Sequence, residues 1–216
     1  MVRFFFDFVS PYAYIAWAEA HRIAEAHGRS VEPVPVLFAA LLNAHGTKGP
    51  AEVPAKRVYL FKDATRKAHA LGLPTLVPPP THPFNPLVAL RVSALPHAPA
   101  LRRRIIDALW AATWAGGDGI ESPEAVGAVL ARLGLDAAAL LTAAAAPAAK
   151  AALKANTDGA IAAGVFGVPT ALVDGELFWG VDALPHLDGF LGGRDPIDAA
   201  ALERWRRIAP SATRAG

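Results

Sequence analysis

Residues 4–14 constrain the fold more than any other stretch. Phe4-Phe5-Phe6-Asp7-Phe8-Val9 is an apolar run of strand length, and Ser10-Pro11 stops it abruptly. An alanine-rich segment of helical period follows, through Tyr14, Ile15, Ala18 and Ile23 to His27, with Gly28 placed to end it. Residues Val2 to Val9 lack clean alternation, which predicts a strand buried on both faces. Ser10 is a natural N-cap and Pro11 a favoured first helical residue. A second strand is expected from Val31 to Phe38, where Pro33 and Pro35 argue for an edge or an irregular start. Strand, helix and strand make a βαβ unit with parallel pairing and a right-handed crossover. The junction at Ser10 gathers helix-end amides and the positive end of a dipole, which suits an anion.

From Ala39 the character changes to helical. A Gly/Pro loop, His45-Gly46-Thr47-Lys48-Gly49-Pro50, leads to an amphipathic helix over 54–71 with Leu60, Ala64, Ala68 and Leu71 on one face. Residues 73–83 are proline-rich and extended, because Pro78-Pro79-Pro80 blocks regular structure. Helices are predicted over 85–95, 99–115, 123–133 and 136–146, and another from Pro147 to about Ala163. Near the end, Thr170 to Trp179 with Asp174-Gly175 between two apolar runs is a hairpin with a type I′ turn. Helices over 182–191 and 195–208 close the chain, the latter with a stripe of Ile197, Ala201, Trp205 and Ile208. The outline is β-α-β, a helical insertion, then α-β-β-α.

Composition narrows the function classes. A chain of 216 residues with 53% hydrophobic and 19% charged residues is globular and long enough to bury a substantial core. With no cysteine, disulfides, thiolate metal sites and a dithiol oxidase are excluded. The net charge of +2 and the short arginine groups at 102–104 and 204–207 read as solvated helix faces, not a nucleic-acid surface. Trp110 and Trp205 beside them stand at core-like spacings. No secretory signal is visible, and no apolar run approaches the roughly 18 residues of a membrane span, so a soluble cytoplasmic protein without membrane or nucleic-acid partners is expected. The seven histidines form no metal-binding pattern, and no metal is expected.

Two motifs carry chemistry. Spacing alone leaves Ser10 as either a helix cap or an anion-holding residue, since Ser122-Pro123 repeats the pattern with nothing chemical around it. There is no G-x-S-x-G elbow and no motif that places a histidine beside Ser10, so donating a hydrogen bond to a bound anion suits it better than nucleophilic attack. The second motif is Gly164-Val165-Phe166-Gly167-Val168-Pro169-Thr170. It is either punctuation between helix and strand or a cis Val168-Pro169 loop turning the Val168 backbone toward a ligand.

Five segments in order carry a resemblance: F-D-F-V-S-P-Y-A-Y (6–14), P-A-E-V-P-A-K-R-V-Y-L (50–60), H-P-F-N-P-L-V-A-L-R (82–91), G-V-F-G-V-P-T (164–170) and F-W-G-V-D (178–182). Together they resemble the 2-hydroxychromene-2-carboxylate isomerases, relatives of kappa-class glutathione transferases and DsbA-type oxidoreductases, over most of residues 2–192. The resemblance implies an α/β thioredoxin-like fold with a large helical insertion. The thioredoxin-like part would comprise 1–38 and 156–192, the insertion 39–155, and a C-terminal helix and tail 193–216. It also implies glutathione as cofactor. Ser10 would hydrogen-bond the sulfur, Val168 before Pro169 would pair with the cysteinyl backbone, and Asp182 would take the γ-glutamyl ammonium. Pro169 and Val181 would also line the glutathione site; Val181 stands where family members often have serine, which leaves one side-chain hydrogen bond to the glutamyl carboxylate open. Lys56 matches a family lysine near the glutathione site, though by itself it is equally a solvated lysine on an amphipathic helix. Thr47 replaces a ligand-binding asparagine, and Lys48 beside it is placed to bind a substrate carboxylate. Asn85 is either a pocket residue or a helix N-cap, and Tyr12 a core or pocket-wall residue.

The implied activity is glutathione-dependent isomerisation of a 2-hydroxychromene-2-carboxylate-type compound, as in naphthalene and other aromatic catabolism. The implied route is thiolate addition, bond rotation and elimination, in a homodimer acting on a small aromatic carboxylate. Two alternatives stay open at this point: a kappa-type glutathione transferase, and a non-catalytic thioredoxin-fold module in which Ser10 is only a cap.

Overall fold

A computed structural model describes residues 1–212, except for the side chains of residues 199 and 201. Four strands form one sheet in the order β2-β1-β3-β4: β1 (Val2–Phe6), β2 (Val31–Pro35), β3 (Thr170–Val173) and β4 (Glu176–Trp179). β1 runs parallel to β2 and antiparallel to β3, so it is an inner strand covered on both faces. Phe4 and Phe6 enter the main core on one face, while Phe5 packs with Val34, Leu41, Val165 and Val168 on the other. This two-sided burial explains the unbroken apolar run in the sequence. β2 is an edge strand, where proline's missing N–H is tolerated. Asp174 and Gly175 both have positive φ (51° and 90°), the type I′ geometry expected of the β3–β4 hairpin.

Both N-terminal strands are shorter than their apolar runs. β1 stops at Phe6 because Asp7 turns the chain: its side chain accepts from Val9 N and its carbonyl from Ser10 N. The second strand stops at Pro35. Leu37 N donates to the Thr157 hydroxyl and Phe38 N to the Asp7 carboxylate, and helix α2 (Phe38–Ala44) begins there. Helix α1 (Pro11–Ala26) is the crossover between the two strands, and it buries Ala13, Ala16, Trp17, Ala20 and Ala24.

Between β2 and β3 lie α2, a 3₁₀ turn (Pro50–Glu52), α3 (Pro54–Ala70), α4 (Leu87–Ala94), α5 (Pro99–Trp114), α6 (Pro123–Arg132), α7 (Ala137–Ala145) and α8 (Pro147–Ala162). Four of the α-helices begin on an X-Pro step whose proline fits the first helical turn, at Pro54, Pro99, Pro123 and Pro147. Asp136 caps α7 through its carboxylate to Ala139 N at 2.9 Å. Helix α8 runs unbroken across residue 155. Trp110 and Trp114 of α5 are fully buried, and Trp110 lies 4.6 Å from the Phe8 ring and 5.7 Å from the Phe6 ring. The helices and the sheet therefore share one continuous core. On α3, Leu60, Ala64 and Ala68 are buried as the pattern predicts, but Leu71 lies past the helix end and is exposed.

The last hairpin leads through a 3₁₀ turn (Val181–Ala183) into α9 (Leu184–Leu191), and α10 (Ala199–Arg206) follows. Here the expected stripe fails as a buried face: Ile197, Trp205 and Ile208 are all exposed. Periodicity made this segment amphipathic, but nothing in the described chain covers it. Ala201 of that stripe and residues 213–216 of the expected tail lie outside what is described. Among the described residues, no helix is long and apolar enough to cross a membrane.

Candidate active site

Ser10 stands at the N-terminus of α1, where β1 delivers the chain. Its hydroxyl accepts from Ala13 N at 3.2 Å, and the residue is 7% exposed. With that lone pair engaged by the helix, its O–H remains available to donate. Ser122 makes the same cap, accepting from Ala125 N at 3.2 Å. The difference is electrostatic. Glu124 sits in the first turn of α6, and its carboxyl is held low by its own amide and by the Ser122 hydroxyl. The first turn of α1 has no acidic residue. The positive end of a 16-residue helix is thus left uncompensated at Ser10 and spent locally at Ser122.

The turn before Ser10 is held on every side. Asp7 is 1% exposed, its Oδ1 accepting from Val9 N at 3.1 Å and its Oδ2 from Phe38 N at 2.9 Å. Burial pushes its carboxyl up to about 7, against the pull of those two amides. Trp114 Nε1 donates to the Phe8 carbonyl at 2.9 Å, and His82 Nε2 lies 2.9 Å from the Val9 carbonyl. No sequence motif marked Asp7 or His82. The only signals were a lone acid inside an aromatic run and membership of the 82–91 segment.

Across the sheet, Phe5 pairs with Thr170, so the loop before β3 meets the end of β1 that leads to Ser10. Within that loop the Val168–Pro169 peptide is cis. The Pro169 carbonyl accepts from Gly180 N at 2.9 Å, which brings Val181 and Asp182 alongside. Ser10, the Val168–Pro169 loop and Val181–Asp182 are thereby gathered at one end of the sheet.

Asp182 is not alone there. Lys67 of α3 donates to it at 2.5 Å and also lies 3.6 Å from Asp63, while Tyr12 OH donates to Asp63 at 2.8 Å. Burial and the neighbouring Asp63 push the Tyr12 phenol well above its ordinary range, so it stays a neutral donor. The hydrogen bond to Asp182 holds the Lys67 ammonium charged. A chain of contacts thus runs from the first turn of α1 to Asp182. The Asp182 side chain is 84% exposed, so its ion pair with Lys67 contributes little to stability and leaves oxygen free to bind. Asp63 and Lys67 stand four apart on α3, and Lys67's other partner, Asp182, lies 115 residues away in the sequence.

The remaining predicted residues are more loosely placed. Thr47, Lys48 and Lys56 are exposed side chains of the loop and helix that follow α2. Their loop is tied in by His45 Nε2, 3.1 Å from the Val165 carbonyl, and by Arg57, which donates to Ala51 O at 3.0 Å. Asn85 is not the N-cap of α4, a position held by Pro86; its side chain accepts from Leu87 N at 3.0 Å, two residues on, in a local turn ahead of the helix. Two open hollows flank this region. One of about 450 Å³ is lined by Lys67, Asp182, Glu19 and Arg22, and one of about 580 Å³ by Trp179, Phe178, His186 and Arg194. Neither is lined by Ser10.

Comparison with known proteins gives a consistent result. The model of the DSBA-like thioredoxin domain matches residues 1–192. A 2-hydroxychromene-2-carboxylate isomerase of Pseudomonas sp. (strain C18) is 30% identical over 198 residues, 89% of this chain and 91% of the relative. Human glutathione S-transferase kappa 1 is 26% identical, with 99% of this chain and 96% of the relative covered. A solved structure of a 2-hydroxychromene-2-carboxylate isomerase superposes with a TM-score of 0.81 at 26% identity, covering 96% of this chain and 99% of the other.

Proposed function

Because the chain belongs to the family of DSBA-like thioredoxin domains, and within it to the 2-hydroxychromene-2-carboxylate isomerases, we propose that it holds glutathione at Ser10 and isomerises a small aromatic carboxylate of the 2-hydroxychromene-2-carboxylate type. The observation that carries this reading is the uncompensated N-terminus of α1 with a buried serine at its cap, at the same end of the sheet as the Val168–Pro169 loop and Asp182.

The residues present suit glutathione. Ser10 donates its free O–H to the sulfur, and the end of α1 favours thiolate over thiol. The Val168 backbone, with Pro169 fixing the loop, pairs with the cysteinyl backbone. Asp182 takes the γ-glutamyl ammonium, and Lys67 beside it balances the second charge of that end, the carboxylate that Val181 cannot hydrogen-bond. Bound glutathione supplies a sulfur nucleophile that is regenerated in each turnover. On the substrate side, Lys48 and Lys56 place cationic charge from the 46–56 segment against the substrate carboxylate and the negative charge that grows on its carbonyl. Tyr12, Thr47 and Asn85 line the space for the aromatic body. No redox equivalent is consumed, in keeping with a chain that has no cysteine. The setting we assign is aromatic catabolism in the cytoplasm, with the chain acting as a homodimer.

Glutathione titration by calorimetry tests the first half of this reading. The expected result is saturable binding in wild type and at least about tenfold weaker binding in Asp182→Asn, the scale of one charge-assisted hydrogen bond. Absence of heat and of thermal stabilisation at millimolar glutathione would sink it. A kappa-type transferase is the second reading, favoured by the near full-length similarity to the human enzyme. It predicts a stable thioether product, where the isomerase returns free glutathione.

A further inference from the structure

The peptide joining Val9 to Ser10 is gripped at both of its polar atoms. Its N–H, that of Ser10, donates to the Asp7 carbonyl at 3.0 Å, and its C=O, that of Val9, lies 2.9 Å from His82 Nε2. A carbonyl only accepts, so His82 must carry its proton on Nε2. The other ring nitrogen, Nδ1, is buried and has no hydrogen-bond partner among the described residues. The ring is wedged edge-on between Phe61 of α3, at 5.2 Å, and Trp114 of α5, at 5.6 Å. Trp114 itself donates to the preceding carbonyl, that of Phe8. Two aromatic N–H groups from the helical segment thus hold successive carbonyls of the turn that presents Ser10.

We propose that His82 is a positioning residue for Ser10: its Nε2–H fixes the Val9–Ser10 peptide plane and so aims the Ser10 hydroxyl at the sulfur it binds. This rests on the glutathione reading of Ser10. The device is specific to one tautomer. Protonating Nδ1 would bury a charged donor with nothing to donate to, and Arg57, the charged group that faces the ring, opposes it further. Burial is the largest cause, and with Arg57 it outweighs the Val9 carbonyl, whose hydrogen bond favours the charged ring, so protonation is shifted below its ordinary range. His82 is therefore a fixed donor, not a proton carrier. Without it the Val9 carbonyl loses its partner, and the peptide is free to rotate toward another donor.

Two measurements test this, one of them free of glutathione. Imidazole ¹⁵N NMR of the unliganded protein should show His82 as the Nε2–H tautomer, still neutral below its ordinary midpoint of about 6.5. A ring that titrates at the ordinary midpoint, or carries its proton on Nδ1, overturns the proposal whatever glutathione does. The second compares His82→Leu with His82→Gln, whose amide can restore the donor, after circular dichroism shows both folded. His82→Leu should bind glutathione within a few-fold of wild type. Its bound thiolate absorbance at neutral pH should be lost, and kcat should fall by about tenfold to a hundredfold with little change in the substrate KM, the scale of a misplaced reacting group. His82→Gln should recover most of both. A folded His82→Leu with wild-type thiolate absorbance, or a His82→Gln as impaired as His82→Leu, contradicts the proposal. Should wild type itself bind no glutathione, the account of Ser10 falls, while the tautomer measurement still decides what His82 does to the turn.

Discussion

In the function proposed above, Ser10 would serve its helix and glutathione with different parts of one hydroxyl. The lone pair turned to Ala13 N caps α1, which leaves the O–H to donate elsewhere. Ser10→Ala should therefore cost about 1 kcal/mol of stability, as an N-cap loss does, and also abolish the thiolate absorbance of bound glutathione. Ser122→Ala should show only the first effect, and equal behaviour of the two variants would remove Ser10 from the chemistry. Asp7 predicts a separate signature. Its folded carboxyl titrates near 7 against an ordinary 3.8, so the folded chain binds more protons than the unfolded one between those values. Its contribution to stability is present below about pH 4 and is lost as pH rises through about 7, a change on the order of 3–5 kcal/mol. Melting temperatures across that window should fall for wild type relative to Asp7→Asn, and parallel profiles would contradict the assignment. Ser10 and Asp182 were singled out because the resemblance assigns roles to their positions. Asp7 and His82 lie in two of the same segments and Lys67 on a helix face, but what matters about these three is a partner or a burial that appears only when segments far apart meet. His82 finds the Val9 carbonyl 73 residues away.

At the level of elements, helix bounds were legible to within about a turn, whereas the ends of the two N-terminal strands were not. Proline, serine and aspartate mark helix beginnings by local chemistry, whereas the N-terminal strand ends because the Asp7 turn pulls the backbone out of the ladder. The glycine loop at 116–119 shows the same limit. Its sequence, Gly116-Gly117-Asp118-Gly119, reads only as a loop, and the packing gives the reason for a glycine there. A Cβ on Gly117 would lie 2.5 Å from Ala112 Cα and 2.8 Å from its carbonyl oxygen, so the loop folds back directly on α5. Gly117→Ala should destabilise the protein by about 1–3 kcal/mol in denaturant titration. Gly159→Ala, in α8 where an added Cβ meets nothing, should stabilise it by roughly 0.5–1 kcal/mol. Equal effects of the two would show that helix propensity, and not the close approach at Ala112, governs these glycines. The C-terminal stripe of Ile197, Trp205 and Ile208 had the right period for a buried face, but period alone does not supply a covering surface.

Across the whole molecule, the sheet and the helices between β2 and β3 are one packed body, with Phe6, Phe8, Trp110 and Trp114 at the junction. That arrangement lets donors from the helical segment hold the turn of the thioredoxin-like sheet, and it brings Lys67 of α3 onto Asp182 beyond β4. The order of elements was legible from the two-sided first strand, the capped crossover helix and the type I′ hairpin, while the thioredoxin-like class came from the resemblance carried by the five ordered segments. The activity is tested most directly by mixing the purified protein with glutathione and 2-hydroxychromene-2-carboxylate, following substrate and product spectra, and assaying free thiol at the end. The account predicts conversion to the isomeric enone only when glutathione is present, with all the thiol recovered. Conversion that ignores glutathione, no conversion at all, or thiol consumed in a stable thioether would contradict it.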